Sequence, residues 1–258
     1  MKWPEIRKGR PIKTISEQDR LEIHKYKSTF NSGYQRVAES VSKHLNKKVT
    51  AHSVQCVFEM DGLYTNEKEF VPTKTHKLRF VARYVNQIWH TDLKYWDKRE
   101  KNGILVDTFL IAFIDDRSRK ILHLERLKKR TMKKTAKALR NALEENPKPH
   151  MVVIDNGREF IGEDFSLELQ SNGILEHRIK VGQPEENGKI ERFLGTLQRT
   201  LVDRSKLQDF VVEYNTIWNH NSLRQMTGEK ITPEEAWRRW ERYEDKTDLE
   251  IDYYEYEI

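Results

Sequence analysis

The stretch Met151-Val152-Val153-Ile154-Asp155-Asn156-Gly157 joins a fully apolar segment to an acidic residue and a turn. An apolar run of this length, with Pro149 before it and Asn156-Gly157 after it, predicts a short buried strand. An acid at the carboxyl end of such a strand indicates a ligand site at the edge of a sheet. Taken alone, Asp155 is more simply explained as a loop starter, because Asp-Asn-Gly is a turn signal. The stretch predicts a buried strand that ends in an acid, and it leaves the role of that acid open.

Two further carboxylates lie in comparable settings. Asp92 ends the strand-like run Trp89-His90-Thr91-Asp92, and strand alternation directs it away from the face of Trp89. Glu191 follows Asp155 after thirty-five intervening residues and lies in a predicted helix over 185–204. Taken singly, the first is a solvated turn residue and the second an ordinary helix-surface charge. Together, three hard oxygen ligands on rigid elements match the needs of two divalent metal ions.

The 258-residue chain has a net charge of +6, with 36% hydrophobic and 34% charged residues. Basic residues predominate in the body of the chain, whereas residues 241–258 form an acidic tail. The basic body indicates a polyanionic partner. A solvated surface with a frayed acidic end is the alternative. The single cysteine, Cys56, excludes an intrachain disulfide and a paired-cysteine zinc site. Because no signal segment or membrane span is recognisable, we expect no membrane partner.

The N-terminal part predicts three short helices, over residues 17–28, 34–45 and about 51–61. A basic arm, residues 1–14, precedes them, and a tight link joins the second helix to the third. This order predicts a helix-turn-helix DNA-binding domain over residues 15–64, whose third helix presents His52, Ser53 and Gln55 to the major groove. The alternative is a plain three-helix bundle that serves as a packing cap. A linker is expected over residues 65–82.

Residues 83–240 combine strand and helix patterns. Strands are predicted first, over 87–96, 104–114 and 120–127, with a turn at 115–119; a helix over 131–145 and the strand 151–155 follow. Further elements are a helix near 163–172, a strand over 174–180, and helices over 185–204, 207–219 and 233–240. This order predicts an α/β domain with a mixed sheet and flanking helices.

The combined pattern resembles the catalytic core of the retroviral-integrase superfamily, especially transposases of bacterial insertion sequences. The resemblance covers most of residues 34–237. It is carried by the following strings: Trp89-His90-Thr91-Asp92, Ile114-Asp115-Asp116-Arg117-Ser118-Arg119, Asp155-Asn156-Gly157-Arg158-Glu159-Phe160, Pro184-Glu185-Glu186-Asn187-Gly188-Lys189-Ile190-Glu191-Arg192, Tyr214-Asn215, Asn219-His220 and Thr232-Pro233. Gly33-Tyr34-Gln35-Arg36-Val37-Ala38 also resembles the helix-turn-helix region that precedes the core in some of these transposases.

The resemblance implies a ribonuclease H-like fold in which Asp92, Asp155 and Glu191 bind two Mg²⁺ ions, with Mn²⁺ as a substitute. It also implies hydrolysis of a phosphodiester at an element's end, followed by strand transfer into target DNA. On the helix of Glu191, the side chains of Lys189, Arg192 and Arg199 are expected to reach phosphates. Asp115 is expected to be structural, and His90 and the Trp218 region are expected at an interface or in the core.

We therefore expect a DNA transposase or integrase that binds element ends and target DNA as a homo-oligomer, at least a dimer. The expected location is intracellular, with DNA, in the nucleoid or cytoplasm, or in the nucleus of a eukaryotic host. Two alternatives stay open: a transposase-derived DNA-binding protein without cleavage activity, and a ribonuclease H-like nuclease. The chain departs from retroviral integrases by lacking their histidine and cysteine zinc domain, and its segment 225–231 is longer than usual.

Overall fold

The computed structural model of the chain describes residues 15–63, 79–101, 104–180, 184–243 and 254–256. The chain divides into two units, residues 1–69 with 200–204, and residues 70–199 with 205–258. The expected arm 1–14 lies outside the described residues, as do most of the expected linker 65–82 and most of the acidic tail. No helix of the described segments is long and apolar enough to cross a membrane.

The N-terminal unit contains three helices, α1 (Glu17–Thr29), α2 (Tyr34–His44) and α3 (Ala51–Asp61). The hydroxyl of Ser16 accepts a hydrogen bond from the first turn of α1, and that of Thr50 does the same for α3. Gly62, at a φ of 64°, ends α3 in the left-handed conformation that glycine adopts without strain. These start and stop residues explain why the helices fall close to their predicted bounds.

Apolar side chains of all three helices form the core of this unit; they are Ile23, Tyr26, Phe30, Val37, Ala38, Val41, Val54, Val57 and Phe58. At its edge, Arg20 Nε donates to Asp61 Oδ2 at 2.9 Å and His24 Nε2 lies 2.6 Å from the same oxygen. These contacts tie α1 to the last residue of α3. Phe30 also forms an isolated bridge with Leu201, which belongs to the same unit.

The second unit is built on a five-stranded sheet in the order β4-β3-β2-β5-β6. Its strands are β2 (Ile88–Lys101), β3 (Ile104–Asp115), β4 (Ile121–Leu127), β5 (Met151–Ile154) and β6 (Leu175–Arg178). The first three pair antiparallel, whereas β5 pairs parallel with both β2 and β6. A separate two-stranded sheet joins β1 (Arg79–Val81) to β7 (Tyr254–Tyr256), and neither of these strands was predicted.

The helices of this unit are α4 (Met132–Glu145), α5 (Glu163–Ser171), α6 (Gly188–Thr200), α7 (Leu207–Val212), α8 (Asn221–Thr227) and α9 (Pro233–Arg239). The helix predicted from residue 185 begins with a 3₁₀ turn, Pro184–Asn187, before α6. The one predicted over 207–219 is α7 followed by a π-helical turn, Glu213–Ile217. In that turn, the side chain of Asn215 accepts from the backbone N–H of Ile121 and donates to its carbonyl, both at 2.9 Å.

The two faces of the sheet have different coverings. Trp89 and Leu93 of β2 belong to a buried cluster with Leu139 of α4 and Phe165 of α5, so these helices cover that face. Ile88 and Val153 lie in a separate cluster on the other face. The predicted fold class is confirmed: a mixed sheet with flanking helices follows an all-α N-terminal region.

Candidate active site

Asp92 and Asp155 are brought side by side by the register of two parallel strands. His90 of β2 pairs with Val153 of β5, and each acid lies two residues beyond its member of that pair. Because side chains alternate along a strand, both acids share the face of His90 rather than that of Trp89. Asp92 and Asp155 are both half-buried. The sheet therefore presents two carboxylates on the face opposite α4 and α5.

Glu191 adds a third charge to this pair. The pKa of Asp92 is raised to about 6, first by burial and then by the negative charges of Asp155 and Glu191, against a hydrogen bond from the Leu93 amide. That amide donates to Asp92 Oδ1 at 2.7 Å. Like charges interact in this way only at short range in a partly buried site. The three predicted acids thus share one electrostatic environment.

The loop after β5 holds the carboxylate of Asp155 by backbone contacts. The Gly157 amide donates to Asp155 Oδ1 at 2.9 Å, and Asn156 Nδ2 donates to the Ile179 carbonyl at 2.8 Å. A Cβ atom at Gly157 would stand 2.9 Å from Asp155 Oδ1 and 3.0 Å from Glu159 Cδ. Glycine is therefore the residue that lets this loop close tightly around the acid.

Glu191 lies in the first turn of α6 and is exposed. Arg192 and Arg199, which we expected to reach phosphates, are exposed on the same helix. The side chain of Arg199 lies against Gly195, and its Nη1 would stand 3.2 Å from a Cβ atom at that glycine. This places a guanidinium over the helix face on which Glu191 lies one turn earlier.

Lys189 has a different environment from the one that the sequence indicated. Its ammonium forms an ion pair with Asp116, a fully buried residue directly after β3, and only 16% of the Lys189 side chain is exposed. Lys189 therefore reaches into the protein, although we expected it to contact DNA. The physical reason is the buried negative charge of Asp116, which needs a cation close by.

Asp116 is the centre of a buried cluster that the sequence did not single out. His90 Nε2 lies 2.6 Å from its Oδ1, the Ala82 amide donates to its Oδ2 at 2.7 Å, and Arg119 donates to its carbonyl. Burial raises the pKa of Asp116, but Lys189, His90 and Arg119 outweigh it and hold that pKa well below its usual range. The only signal in the sequence was the alternation that puts His90 on the face of Asp92.

Asp115 has the structural role that we predicted. Its Oδ2 accepts from the amide and the hydroxyl of Ser118 at 2.6 Å each, and its Oδ1 accepts from the Asn86 amide at 2.8 Å. Burial nevertheless raises the pKa of Asp115 to about 6. The carboxylate closes the turn between β3 and β4 and has no free oxygen for other chemistry.

The predicted base-reading residues of α3 have unequal access to solvent. His52 is exposed, whereas Ser53 and Gln55 are half-buried. Ser53 shares a hydrogen bond with Thr50 at 2.8 Å, and Gln55 Nε2 donates to Glu59 at 3.0 Å. Of the three, His52 has the side chain most available to a partner.

A divalent cation is implied by the donor chemistry of the three acids. Within the described segments, however, no three His, Cys, Asp or Glu side chains stand ready-arranged to hold a metal ion. The carboxylates are near enough to raise the pKa of Asp92, yet they are not drawn together around one point. An oxygen-only set with mutual repulsion fits a hard cation, which would relieve that repulsion.

Two family models described as Integrase core domain match residues 82–184 and 172–227, together more than half of the chain. No curated protein matches it. Among solved structures, the intasome of simian T-cell lymphotropic virus is similar with 15% identity and a TM-score of 0.51, over 84% of this chain and 74% of that one. The HTLV-2 integrase catalytic core in complex with magnesium is similar with 19% identity and a TM-score of 0.45, over 60% of this chain and 98% of that one.

The catalytic core of BIV integrase is also similar, with 16% identity and a TM-score of 0.44, over 59% of this chain and 94% of that one. The matched residues 82–227 include Asp92, Asp155 and Glu191. They also include the whole five-stranded sheet and all of α6. The chain therefore belongs to the retroviral-integrase superfamily, whose catalytic core it carries.

Proposed function

We propose that the protein is a DNA transposase or integrase, a polynucleotidyl transferase that hydrolyses a phosphodiester at an element's end and joins the end to target DNA. The observation that carries this proposal is the strand register, which brings Asp92 and Asp155 side by side, with Glu191 near enough for its charge to contribute to the raised pKa of Asp92. Three carboxylates that repel one another in a partly buried site are costly unless a cation binds there. Membership of the integrase superfamily supports the same chemistry.

Asp92, Asp155 and Glu191 would hold two Mg²⁺ ions, for which Mn²⁺ substitutes. When bound, such ions activate the attacking oxygen and stabilise the leaving oxygen of a phosphoryl transfer. The loop amide of Gly157 orients Asp155, and the amide of Leu93 orients Asp92. No protein nucleophile is required, because water attacks in the first step and a DNA 3′-hydroxyl in the second.

The Asp116 cluster positions the third acid. Lys189 lies two residues before Glu191 on α6, as His90 lies two residues before Asp92 on β2. Since Asp116 contacts both Lys189 and His90, it fixes the start of α6 against the strand that carries Asp92. We assign Asp116 and Lys189 as positioning residues for Glu191.

DNA contacts are assigned to two places. We propose that residues 15–64 form a helix-turn-helix domain that recognises the element end, with His52, Ser53 and Gln55 on the helix that enters the major groove. Near the active site, Arg192 and Arg199 would bind phosphates. Joining two ends requires at least a dimer on DNA. The boundaries 65–82, 83–240 and 241–258 for linker, core and tail belong to the same proposal.

The test is a strand-transfer assay on DNA that carries the ends flanking this gene, with Mg²⁺ or Mn²⁺, for wild type and Asp155→Asn. Wild type should give joined product, and Asp155→Asn should reduce it by about 1,000-fold, because a metal supplies several kcal/mol of transition-state stabilisation. DNA binding by the variant should be unchanged. Activity of Asp155→Asn near that of wild type would reject the assigned triad.

Two other outcomes would select the alternatives. Tight binding of the ends without any metal-dependent product from wild type would indicate a DNA-binding descendant of a transposase. Metal-dependent cleavage of RNA–DNA hybrids, without joining and without preference for an end, would indicate a ribonuclease H-like nuclease.

A further inference from the structure

A strongly basic surface lies on α4 and on the turn before it, on the face of the sheet opposite the acids of the active site. Seven lysines and arginines and no acids occur in residues 128–140: Lys128, Lys129, Arg130, Lys133, Lys134, Lys137 and Arg140. All seven are exposed. We call these residues the α4 basic surface.

Within the described segments, most of this charge is not neutralised. Arg130 lies 3.8 Å from Glu159, and Arg140 lies 2.5 Å from Glu168. In the part of the chain that the structure describes, the five lysines of the surface form no ion pair. A dense set of like charges repels itself, and a polyanion removes this repulsion.

The order of charges along α4 is the reverse of the one that stabilises a helix. Its first turn has no acid and contains Lys133 and Lys134, whereas Glu144 and Glu145 lie in its last turn. The helix dipole favours acids at the start and bases at the end. The lysines are therefore not explained by helix stability. The buried face of α4 does not need them either, because it is formed by Thr135, Ala136, Ala138, Leu139 and Ala142.

The α4 basic surface is connected to the loop of the active site by direct contacts. Thr135 Oγ1 donates to the Glu159 carbonyl at 2.8 Å, and the Glu159 side chain borders Gly157. Gly157 in turn donates its amide to Asp155. The start of α4 therefore lies at the end of the sheet where β5 delivers Asp155. Lys133, Lys137 and Arg140 extend from there along one helix face for about 10 Å.

We propose that the α4 basic surface binds target DNA through its phosphates. Lysines contact phosphates as flexible point charges and read no bases, so this surface fits a duplex that is held without regard to sequence. An element end must be recognised by its sequence, which a face of lysines does not provide. The proposal rests on the proposed function only for the identity of the duplex as a target.

The binding test uses the full chain without metal and a labelled duplex of unrelated sequence. The triple variant Lys133→Gln, Lys134→Gln and Lys137→Gln removes three charges and keeps residues of similar helix propensity. The control Lys98→Gln, Lys206→Gln and Lys230→Gln removes three charges from scattered exposed positions. The slope of log affinity against log salt should fall by about 3 in the triple variant and by less than about 1 in the control.

Equal slopes for the triple variant and its control would overturn the proposal, since net charge alone would then explain the effect. A slope unchanged from wild type would also overturn it and would assign the lysines to another occupant, such as the acidic residues 241–258 of a second copy. Circular dichroism of all three proteins checks that the substitutions do not lower the total helix content.

The joining assay identifies the duplex. The triple variant should keep hydrolysis at the element end and lose joining at low target concentration, with recovery when the target concentration is raised at least about 10-fold. An equal fall in hydrolysis would overturn the assignment to target DNA. If wild type joins nothing, the proposed function fails, whereas the salt slopes still decide whether the surface binds duplex DNA.

Discussion

Two groups of carboxylates occupy the same sheet and have opposite surroundings. Asp115 and Asp116 are fully buried, and each accepts hydrogen bonds at both of its oxygens. Asp92 and Asp155 are half-buried, and among the residues that the structure describes a single backbone amide is the donor to each. The difference separates acids whose bonding capacity is used by the fold from acids whose capacity is left for a cation.

This difference also shows why acids on neighbouring strands have different roles. Asp116 lies beside three cationic or ring-nitrogen groups, which hold its pKa well below the usual range. Asp92 lies beside two acids, and its pKa rises to about 6. The charge of the neighbouring groups thus decides whether a buried aspartate stabilises the fold, as at Asp116, or is costly, as at Asp92.

The largest expected effect is on Asp116. Asp116→Asn leaves Lys189 in a buried site without its anion, so we expect the free energy of unfolding to fall by about 3 kcal/mol or more. Denaturant unfolding of the wild type and the variant measures this. Adding Lys189→Met should recover part of the loss, because the unpaired charge is removed as well. A double variant that is less stable than Asp116→Asn would contradict the assigned ion pair.

The next largest effect expected is that of a divalent cation on stability, through the group of acids that includes Asp92 and Asp155. At a concentration 100 times the dissociation constant, Mg²⁺ or Mn²⁺ should stabilise wild type by about 2.7 kcal/mol. The variant Asp155→Asn should be at least as stable as metal-free wild type, because one of the repelling charges is removed, and it should not respond to metal. Thermal unfolding with and without the ion gives both values. An undiminished response in Asp155→Asn would mean that the cation binds elsewhere.

Gly157→Ala tests how tightly the Asp155 loop closes. The added Cβ would stand 2.9 Å from Asp155 Oδ1, closer than real Cβ contacts allow, so the carboxylate must move. We expect about a 10-fold loss of strand transfer, since a small misplacement of a ligand costs about 1.4 kcal/mol or more. Gly188→Ala is a suitable control, because a Cβ at Gly188 would meet open space. Gly173→Ala is not, because a φ of 70° is itself unfavourable to alanine. Equal activities of Gly157→Ala and Gly188→Ala would refute the effect.

Ser118→Ala probes the buried acids more gently. The change removes the hydroxyl that donates to Asp115 Oδ2 at 2.6 Å but keeps the backbone donors of Ser118 and Asn86. Stability should fall by about 1.5 kcal/mol, the lower end of the range for a hydrogen bond to a charged group. Strand-transfer activity of the folded fraction should be unaffected. A loss of activity without a loss of stability would place Asp115 in the active site instead.

Asp61 in the N-terminal unit extends the comparison to an acid at a surface. Hydrogen bonds from Arg20 and then His24 lower its pKa from 3.8 to about 2. A lowered pKa stabilises the folded state above the unfolded value, and this contribution disappears as the pH falls from about 4 to about 2. The difference in melting temperature between wild type and Asp61→Asn should therefore shrink over that interval. Because half of the Arg20 side chain is exposed, salt should also reduce this difference in melting temperature. A difference that grows on acidification would contradict the pairing of Asp61 with Arg20.

Local patterns predicted most of the fold. The apolar run of β5 and the capping residues Ser16 and Thr50 define elements over a few neighbouring residues, so their bounds follow from the sequence. By contrast, β1 pairs with β7 from the other end of the chain, and no local pattern reports such a partner. The short polar helix α8, Asn221–Thr227, was missed because it lacks an apolar stripe long enough to recognise.

The candidate site was predictable in part for the same reason. Strand ends and an acidic turn indicated Asp92 and Asp155, and their assignment as metal ligands stays a prediction. The partner of Lys189 was not predictable, because Asp116 lies in a distant turn and the helix pattern showed Lys189 only as a charge beside an apolar stripe. Likewise, exposure of Lys133, Lys134 and Lys137 follows from periodicity, whereas the tertiary structure is needed to see that they form no ion pair with another described residue.

The contact between Asn215 and β4 has a consequence for self-association. β4 is an outer strand of the sheet, and the free amides and carbonyls of such a strand can recruit a strand from another molecule. A side-chain amide has the same donor and acceptor as a peptide group, and Asn215 uses both on Ile121. At Ile121 it takes the place of a residue from a sixth strand. The π-helical turn thus covers the edge of the sheet at this residue and leaves neither of its backbone groups for a strand of another molecule.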